Sequence, residues 1–358
     1  MCGDLPYDDA PPMSRTKRFL SWFAIALGIG LAFFAGWVQL PYYSLGPGPA
    51  REVQPLIHVS GHQEFPSEGR LIMTTVRFHS VSAIGALFAW LDPHQALVSA
   101  STLYPPGETV EQETQRALSQ MDQSKIDASF VVLRRLADYP DEHGDGALIE
   151  YVSPGCPAEG KLYTGDVVES IDGTPVHSQD DATEALDAAP AGDPITFTVR
   201  AGGETHDVTV TRATCDPNVD RPLVGIFMID AFPFGVQIAS GDVGGPSAGL
   251  MWALGLYDLL TPGDLTAGLT IAGTGTIDTR GGVGPIGGIQ DKVVAAERAG
   301  ATIFLVPADN MAELRDVDTG DMRLISVSTF KEALDALQSL DGTSSVPECV
   351  AGFRGRMG

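Results

Sequence analysis

Two stretches near the C-terminal end decide the fold: GGPSAGLMWAL at residues 244–254 and TGTIDTRGGVGPIGGIQDKVVAAERAGA at residues 274–301. In the first stretch, a Gly-Gly-Pro turn leads through Ser247 into an apolar run, which predicts a buried helix. In the second, a glycine-rich segment precedes a run with helical spacing, which predicts a helix that carries Lys292. The predicted helices lie at 247–260 and 289–299, and predicted strands of the same α+β domain, placed at 220–342, lie at 223–229, 234–239, 302–306 and 324–327.

The surroundings of Ser247 point to nucleophilic chemistry with a lysine. Gly-Pro-Ser-Ala-Gly matches the G-x-S-x-G pattern of a nucleophile elbow, but that arrangement needs a later histidine and all seven histidines precede residue 247. A lysine can act as the base instead, and only Lys292 and Lys331 lie beyond residue 212. Burial would lower the pKa of Lys292 from about 10.4 toward the value of about 7 to 8 that a base needs. The simpler interpretation, an N-cap serine and a surface lysine, stays open at this point.

The N-terminal part predicts a membrane anchor. Residues 19–38 contain no charge and would span about 30 Å as a helix, so we expect a membrane-spanning helix over 19–40, with a cleaved signal peptide as the alternative. Cations before this stretch place a tail, 1–18, in the cytoplasm and the rest of the chain outside the cytoplasmic membrane. The Pro- and Gly-rich residues 41–51 predict a linker. It opens a juxtamembrane region, 41–125, with a strand over 70–78, a helix over 81–91 and a helix that starts at the capping box of Thr109 and runs to about residue 123.

Composition excludes several classes of function. The chain has 358 residues and a net charge of −24, which would repel phosphate backbones, so no nucleic-acid partner is expected. Four scattered cysteines do not form a zinc motif, and neither a metal nor a cofactor is predicted. In an oxidising compartment we expect a disulfide between Cys215 and Cys349, with Cys156 unpaired; reduced, buried cysteines are the alternative.

The middle of the chain has the rhythm of a small β-rich module. GDGALIEYVSPGCPAEGKLYTGDVVESIDGTPV, residues 144–176, places a glycine-containing loop before a strand, a Pro-Gly turn and a second strand that ends at an Asp-Gly turn. The segment 126–212 resembles a PDZ domain of the bacterial protease type. The resemblance implies that a peptide adds as a strand along 147–152 and that N–H groups of the preceding loop receive its carboxylate. The peptide-binding residues implied are Gly144, Asp145, Gly146, Ala147, Leu148 and Ile149.

The two C-terminal stretches together closely resemble the proteolytic domain of Lon proteases, peptidase family S16, whose fold is of the ribosomal protein S5 domain 2-like α+β type. The resemblance implies that Ser247 is the nucleophile, that Lys292 is its general base and that Thr274 orients the lysine. Backbone N–H groups of Ser247 and Ala248, at a helix N-terminus, are the expected oxyanion donors. The chain departs from the family at Gly244, where many Lon proteases have an aspartate.

A second departure is that no GxxxxGK[ST] motif occurs in the 358 residues, so ATP-driven unfolding is not expected. We therefore expect an ATP-independent, membrane-anchored serine endopeptidase that cleaves extracytoplasmic proteins recruited through the PDZ domain. It would contact the lipid bilayer through 19–40, and the resemblance implies a homo-oligomeric ring as in Lon. The alternatives are a catalytically inactive scaffold that binds peptides through the PDZ domain, and acyl transfer to a non-peptide acceptor. Residues 343–358 form a C-terminal tail.

Overall fold

The structure is a computed structural model that describes residues 15–92, 95–103, 109–190, 192–216, 219 and 221–340. Apart from 15–18, the tails expected over 1–18 and 343–358 lie outside these residues, as does Cys349. The chain divides into a smaller unit, 1–46 with 77–107, and a larger unit, 47–76 with 108–358.

The smaller unit contains three helices and one complete strand in its described residues. The unit also contains the beginning of a strand that starts at Gln39 and the end of a strand that finishes at Ser82. The bounds are α1 Arg15–Trp37, α2 Ala83–Leu91, β4 Ala96–Ser99 and α3 Ala100–Leu103. Helix α2 is close to the predicted one and begins after Ser82, whose hydroxyl accepts a hydrogen bond from the Gly85 N–H. Among the residues that the structure describes, no helix is both long and apolar enough to cross a membrane, so the span expected over 19–40 finds no support.

The segment expected to be a linker, 41–51, is instead part of strand β1, Gln39–Glu52. Within the smaller unit β1 pairs antiparallel with β4, from Tyr42 opposite Ser99 to Leu45 opposite Ala96. Its prolines stand at positions 41, 47 and 49. Because successive residues of a strand direct their N–H groups to opposite edges, odd-numbered prolines remove donors from one edge only. The prediction treated each proline separately and missed this spacing.

In the larger unit, a parallel sheet carries the C-terminal region. Strand β12, Thr270–Gly273, pairs in parallel with β3, Arg70–Ser82, on one side and with β15, Ile303–Pro307, on the other. Strand β16, Arg323–Val327, pairs in parallel with β15. All five residues of β15 are buried, as expected for a parallel strand covered on both faces.

Helices pack on this sheet and position the residues discussed below. Helix α6, Gly249–Leu260, is buried on nearly all sides, which explains its uniformly apolar sequence. Helix α7, Ile289–Arg298, inserts apolar side chains against Phe304 of β15. The remaining elements of this region are β2 Ile57–Ser60, β11 Gly235–Ile238, β13 Thr276–Ile277, β14 Val283–Gly284 and α8 Phe330–Gln338.

A long helix, α4 over Val110–Leu136, extends well beyond residue 123, where the sequence predicted its end. The predicted capping box is present: Thr109 and Gln112 exchange side-chain and backbone hydrogen bonds. The second half of α4 is amphipathic, and Met121 packs against Trp252 of α6, with 3.4 Å between the Met121 Sδ and the indole Nε1. Helix α4 therefore belongs to the core of the C-terminal region.

The middle module is a β-sheet with strand order β10-β5-β6-β8-β9, and helix α5 packs on it. Its elements are β5 Gly144–Val152, β6 Val167–Ile171, β7 Thr174–Pro175, α5 Gln179–Ala188, β8 Pro194–Ala201, β9 Glu204–Thr211 and β10 Ile226–Ala231. The core consists of inward-facing residues such as Ile195, Phe197 and Val199, at alternate positions of β8. Strand β10 lies beyond residue 212, so this sheet recruits a strand from the next segment of the chain.

A disulfide joins Cys156 to Cys215, which are 59 residues apart in sequence. The pairing of Cys215 with Cys349 expected from the sequence, which left Cys156 without a partner, is therefore wrong. The prediction relied on the ends of the last domain, whereas the sheet brings the loop after β5 next to the segment that follows β9. A disulfide requires that proximity.

Candidate active site

Ser247 lies in a short loop between β11 and α6. The turn uses Gly245 with a positive φ of 88°, a conformation that favours glycine. Helix α6 begins at Gly249, its N-cap is Ala248, and no side chain caps it. Ser247 is thus not the N-cap serine of the simpler interpretation, and its hydroxyl is available for another role.

Lys292 projects from the first half of α7 toward Ser247. The distance between the Lys292 Nζ and the Ser247 Oγ is 2.7 Å, although the two residues are 45 positions apart. The lysine is only 3% exposed. It is not the surface cation of the simpler interpretation, because Ile289 and Val293 on either side of it belong to the apolar core.

Burial changes the acid–base behaviour of this lysine. Removal from water penalises the charged ammonium and lowers the pKa of Lys292 to about 8. No charged neighbour contributes to this shift. A substantial fraction of the amine is then neutral near physiological pH, which is the state that a general base requires.

Thr274 joins the two side chains. Its hydroxyl lies 2.9 Å from the Lys292 Nζ and donates a hydrogen bond of 2.9 Å to the backbone carbonyl of Ser247. Because the single hydroxyl proton is directed to this carbonyl, the oxygen lone pairs face the lysine and accept one of its N–H groups. This hydrogen bond holds the Lys292 amine in one orientation, in which its Nζ also contacts the Ser247 Oγ. The structure therefore brings together all three side chains proposed from the sequence.

Local structure explains why these residues meet. Thr274 follows the carboxyl end of the central strand β12, and the β13–β14 hairpin returns the chain to α7. Asp278 closes this hairpin by accepting hydrogen bonds from the N–H groups of Arg280 and Gly282. The N–H of Gly275 donates to the carbonyl of Ser247 at 2.9 Å, which fastens the hairpin to the serine loop.

Two backbone N–H groups beside the nucleophile are candidates for hydrogen-bonding a developing negative charge. Within the described part of the chain, the N–H groups of Ser247 and Ala248 donate no backbone hydrogen bond, whereas those of Gly245, Gly249 and Leu250 do. Unpaired N–H groups at the N-terminus of a buried helix can stabilise a negatively charged oxygen. They coincide with the oxyanion donors expected from the sequence.

Residues of α4, which were not predicted from the sequence to be near the site, also contact the serine loop. The carbonyl of Ala117 accepts a hydrogen bond from the Gly245 N–H at 2.7 Å, and the Ser124 hydroxyl donates to the Pro246 carbonyl at 3.0 Å. The two contacting residues are small and seven positions apart, hence on one face of the helix. That spacing is the only signal the sequence offered.

The residues expected to bind a peptide, 144–149, all lie in strand β5, and its pairing on both sides contradicts strand addition along 147–148. Ala147 and Leu148 pair with Asp230 and Ile229 of β10 on one side and with β6 on the other. No free edge is left along these residues for a peptide strand. Ile149 likewise lies opposite Met228 of β10.

The residues expected to form a carboxylate-binding loop, 144–146, are instead the first residues of β5 and make contacts within the chain. The N–H of Gly146 donates to the carbonyl of His177 at 3.1 Å. A Cβ at Gly146 would lie 2.6 Å from Val167, and one at Gly144 would lie 2.4 Å from the Phe232 carbonyl, so both glycines permit close packing rather than the approach of a ligand. Asp145 is exposed, 3.4 Å from the His177 ring. Peptide recruitment by this module stays a prediction without an assigned surface.

A half-buried serine in hydrogen-bond contact with a buried lysine, beside N–H groups without a backbone partner, is the arrangement used by the class of serine hydrolases that have an amine as base. Comparison with known proteins narrows this class. Residues 235–339 match the Lon protease (S16) C-terminal proteolytic domain, and residues 124–211 match a PDZ domain. The C-terminal part of the chain is therefore a serine-peptidase domain of the Lon type, combined with a PDZ domain.

Three curated relatives match the C-terminal part of the chain. Lon protease 1 of Sorangium cellulosum is 43% identical over 104 residues, which cover 28% of this chain and 13% of that protein. Lon protease of Phenylobacterium zucineum is 40% identical over 95 residues, or 26% of this chain and 12% of that protein. Lon protease 2 of Bacillus subtilis is 36% identical over 107 residues, which cover 30% of this chain and 18% of that protein. The chain thus spans a small fraction of the length of these relatives.

Among solved structures, the PDZ domain of the SdrC-like protein from Listeria innocua is 24% identical to this chain, with a TM-score of 0.22. The match covers 24% of this chain and 93% of the Listeria chain.

Proposed function

We propose that this protein is a serine endopeptidase in which Ser247 is the nucleophile and Lys292 the general base. The observation that carries the proposal is the contact of 2.7 Å between the Lys292 Nζ and the Ser247 Oγ, made by a lysine that is 3% exposed. An exposed lysine would be protonated and could not accept the serine proton. A buried lysine held by Thr274 can accept it.

The reaction proceeds in two halves. In the first, the neutral Nζ of Lys292 takes the proton from the Ser247 Oγ as this oxygen attacks the carbonyl carbon of the scissile peptide bond. The N–H groups of Ser247 and Ala248 donate to the resulting oxyanion. The ammonium then gives its proton to the leaving nitrogen, the C–N bond breaks and an ester on Ser247 remains.

In the second half, water replaces the departed amine. Lys292 takes one proton from the water as its oxygen attacks the ester carbonyl, and the collapse of this second tetrahedral species returns the proton to the Ser247 Oγ. The carboxylic acid product leaves and the lysine is neutral again. Thr274 keeps the amine aligned with Ser247 through both halves, while its own proton stays on the bond to the Ser247 carbonyl.

No step of this reaction uses a nucleotide, and we assign the chain ATP-independent cleavage of extended or unfolded polypeptides. The disulfide between Cys156 and Cys215 supports a location outside the reducing cytoplasm, because such bonds persist in oxidising compartments. Extracytoplasmic proteins are then the substrates. Assembly into a ring stays a prediction from the resemblance to Lon.

The test is cleavage of an unfolded, dye-labelled polypeptide by the full chain and by Ser247→Ala, without added ATP. We expect cleavage by the wild type, its loss in the variant and the same melting temperature for both. A serine-reactive acylating probe should label residue 247, located by mass spectrometry. Equal cleavage by both proteins would refute the assignment of Ser247. A wild type that neither cleaves nor becomes acylated would favour a peptide-binding scaffold, and transfer of the acyl group to another acceptor would appear in the products.

A further inference from the structure

The serine loop, residues 244–248, is fixed from two sides. On one side, Thr274 and Gly275 both hydrogen-bond the carbonyl of Ser247. On the other side lies α4, which is outside the stretch that matches the Lon proteolytic domain, 235–339. Some of the hydrogen bonds that fix the serine loop therefore come from α4, which ends about a hundred residues before the matched stretch begins.

The contact between α4 and the serine loop is close. A Cβ at position 244 would lie 2.8 Å from the Cβ of Ala117 and 3.1 Å from its carbonyl carbon. A Cβ at Gly249 would lie 2.7 Å from the Ser124 Oγ. The contacts of 2.7 and 2.8 Å are shorter than a real Cβ tolerates, so α4 packs directly against the glycines at positions 244 and 249.

Ser124 makes the side-chain hydrogen bond of this contact. Its hydroxyl donates to the Pro246 carbonyl at 3.0 Å, and the residue is 2% exposed. The same carbonyl also accepts the N–H of Gly249 at 3.3 Å, so the bond from Ser124 is the shorter of the two that hold it. The hydrogen bond therefore restricts the peptide group between Pro246 and Ser247.

This peptide group includes the N–H of Ser247. The peptide unit is planar and trans, so its C=O and N–H point in opposite directions, and fixing the Pro246 carbonyl fixes the direction of the Ser247 N–H. Under the proposed function, on which this inference rests, that N–H donates to the oxyanion. We infer that Ser124 is a positioning residue: from α4, it aligns an oxyanion donor without touching the substrate.

The test compares Ser124→Ala with Ser129→Ala in the full chain. Ser129 is a matched control because it lies on the same helix, is also 2% exposed and donates to the carbonyl of Lys125, within α4, at 2.8 Å. Both variants lose one buried hydrogen bond, so we expect similar changes in melting temperature. Only Ser124→Ala should lose kcat, by about tenfold with KM unchanged, since removing an oxyanion donor entirely costs about 10²–10³.

A second readout separates positioning from folding. A peptide boronic acid forms a tetrahedral adduct with a catalytic serine, and its affinity for Ser124→Ala should fall by a factor similar to the loss in kcat. Equal kcat and equal boronate affinity in the two variants would overturn the inference while leaving the proposed function intact. If the wild type is not acylated at Ser247, the proposed function fails, and this inference fails with it.

Discussion

Replacing Lys292 by methionine should abolish proteolysis and stabilise the fold at neutral pH. A difference of one in pKa corresponds to about 1.4 kcal/mol. Burial moves the pKa of Lys292 from 10.5 to about 8, so the ammonium form is disfavoured in the folded chain by about 3 kcal/mol. Methionine has a similar length and no charge. We expect Lys292→Met to gain about 1–3 kcal/mol in the free energy of unfolding at pH 7, less than the full penalty because two hydrogen bonds are lost.

The stability gain of Lys292→Met and the activity of the wild type should both depend on pH. The pKa of Lys292 is lower in the folded chain than in the unfolded chain, so its full destabilising effect is present below about pH 8. The effect disappears as the pH rises to 10.5, where the unfolded chain also loses the proton. The advantage of Lys292→Met should therefore shrink between pH 8 and 10.5. In the wild type, kcat/KM should rise about tenfold per pH unit below 8 and level off above, because only the neutral amine accepts a proton.

The measurements are urea unfolding at pH 7 and pH 10 and initial rates on an unfolded substrate between pH 6 and 9.5. Lys331→Met is the control, because Lys331 is exposed and paired with Asp335 at 2.8 Å, a surface contact of small energy. It should change neither activity nor the pH profile. The reasoning is refuted if Lys292→Met retains activity, or if it loses activity and stability together at pH 7.

Two further predictions concern stability. Burial raises the pKa of Asp127 to about 6, so the wild type should lose up to about 3 kcal/mol of unfolding free energy as pH rises from 4 to 6. Asp127→Asn should flatten this part of the stability curve, and an unchanged slope would contradict the assignment. Cys215→Ser breaks the bond to Cys156 and should cost about 2–4 kcal/mol in urea unfolding; a reductant should then destabilise only the wild type.

The sequence predicted the three polar side chains of the site better than the residues that hold the serine loop in place. Ser247, Thr274 and Lys292 were expected to act together because the two stretches that contain them resemble the Lon proteolytic domain, whereas their spacing alone left the simpler interpretation open. The support from α4 could not, because Ala117 and Ser124 are ordinary small residues of a polar helix. Nothing in their local pattern indicates contact with a loop more than a hundred positions later.

Long-range pairing limited the fold prediction in the same way. The helix over 289–299 is confirmed by α7 and the strand over 302–306 by β15, because periodicity and apolar runs are local signals. The neighbour of β5, the partner of Cys215 and the strand through three prolines depend on which segments meet in the folded chain. Local patterns do not contain that information.

The pairing of β10 with β5 has a practical consequence for anyone who divides this protein into pieces. The stretch that matches a PDZ domain ends at residue 211, whereas the last strand of its sheet ends at Ala231. A fragment cut at the earlier point exposes the backbone of β5, and uncapped strands join the next available strand, including one from another molecule. The domain boundary given by the family match and the boundary given by the backbone hydrogen bonds of the sheet differ by about twenty residues. A fragment that keeps the sheet intact has to extend to Ala231.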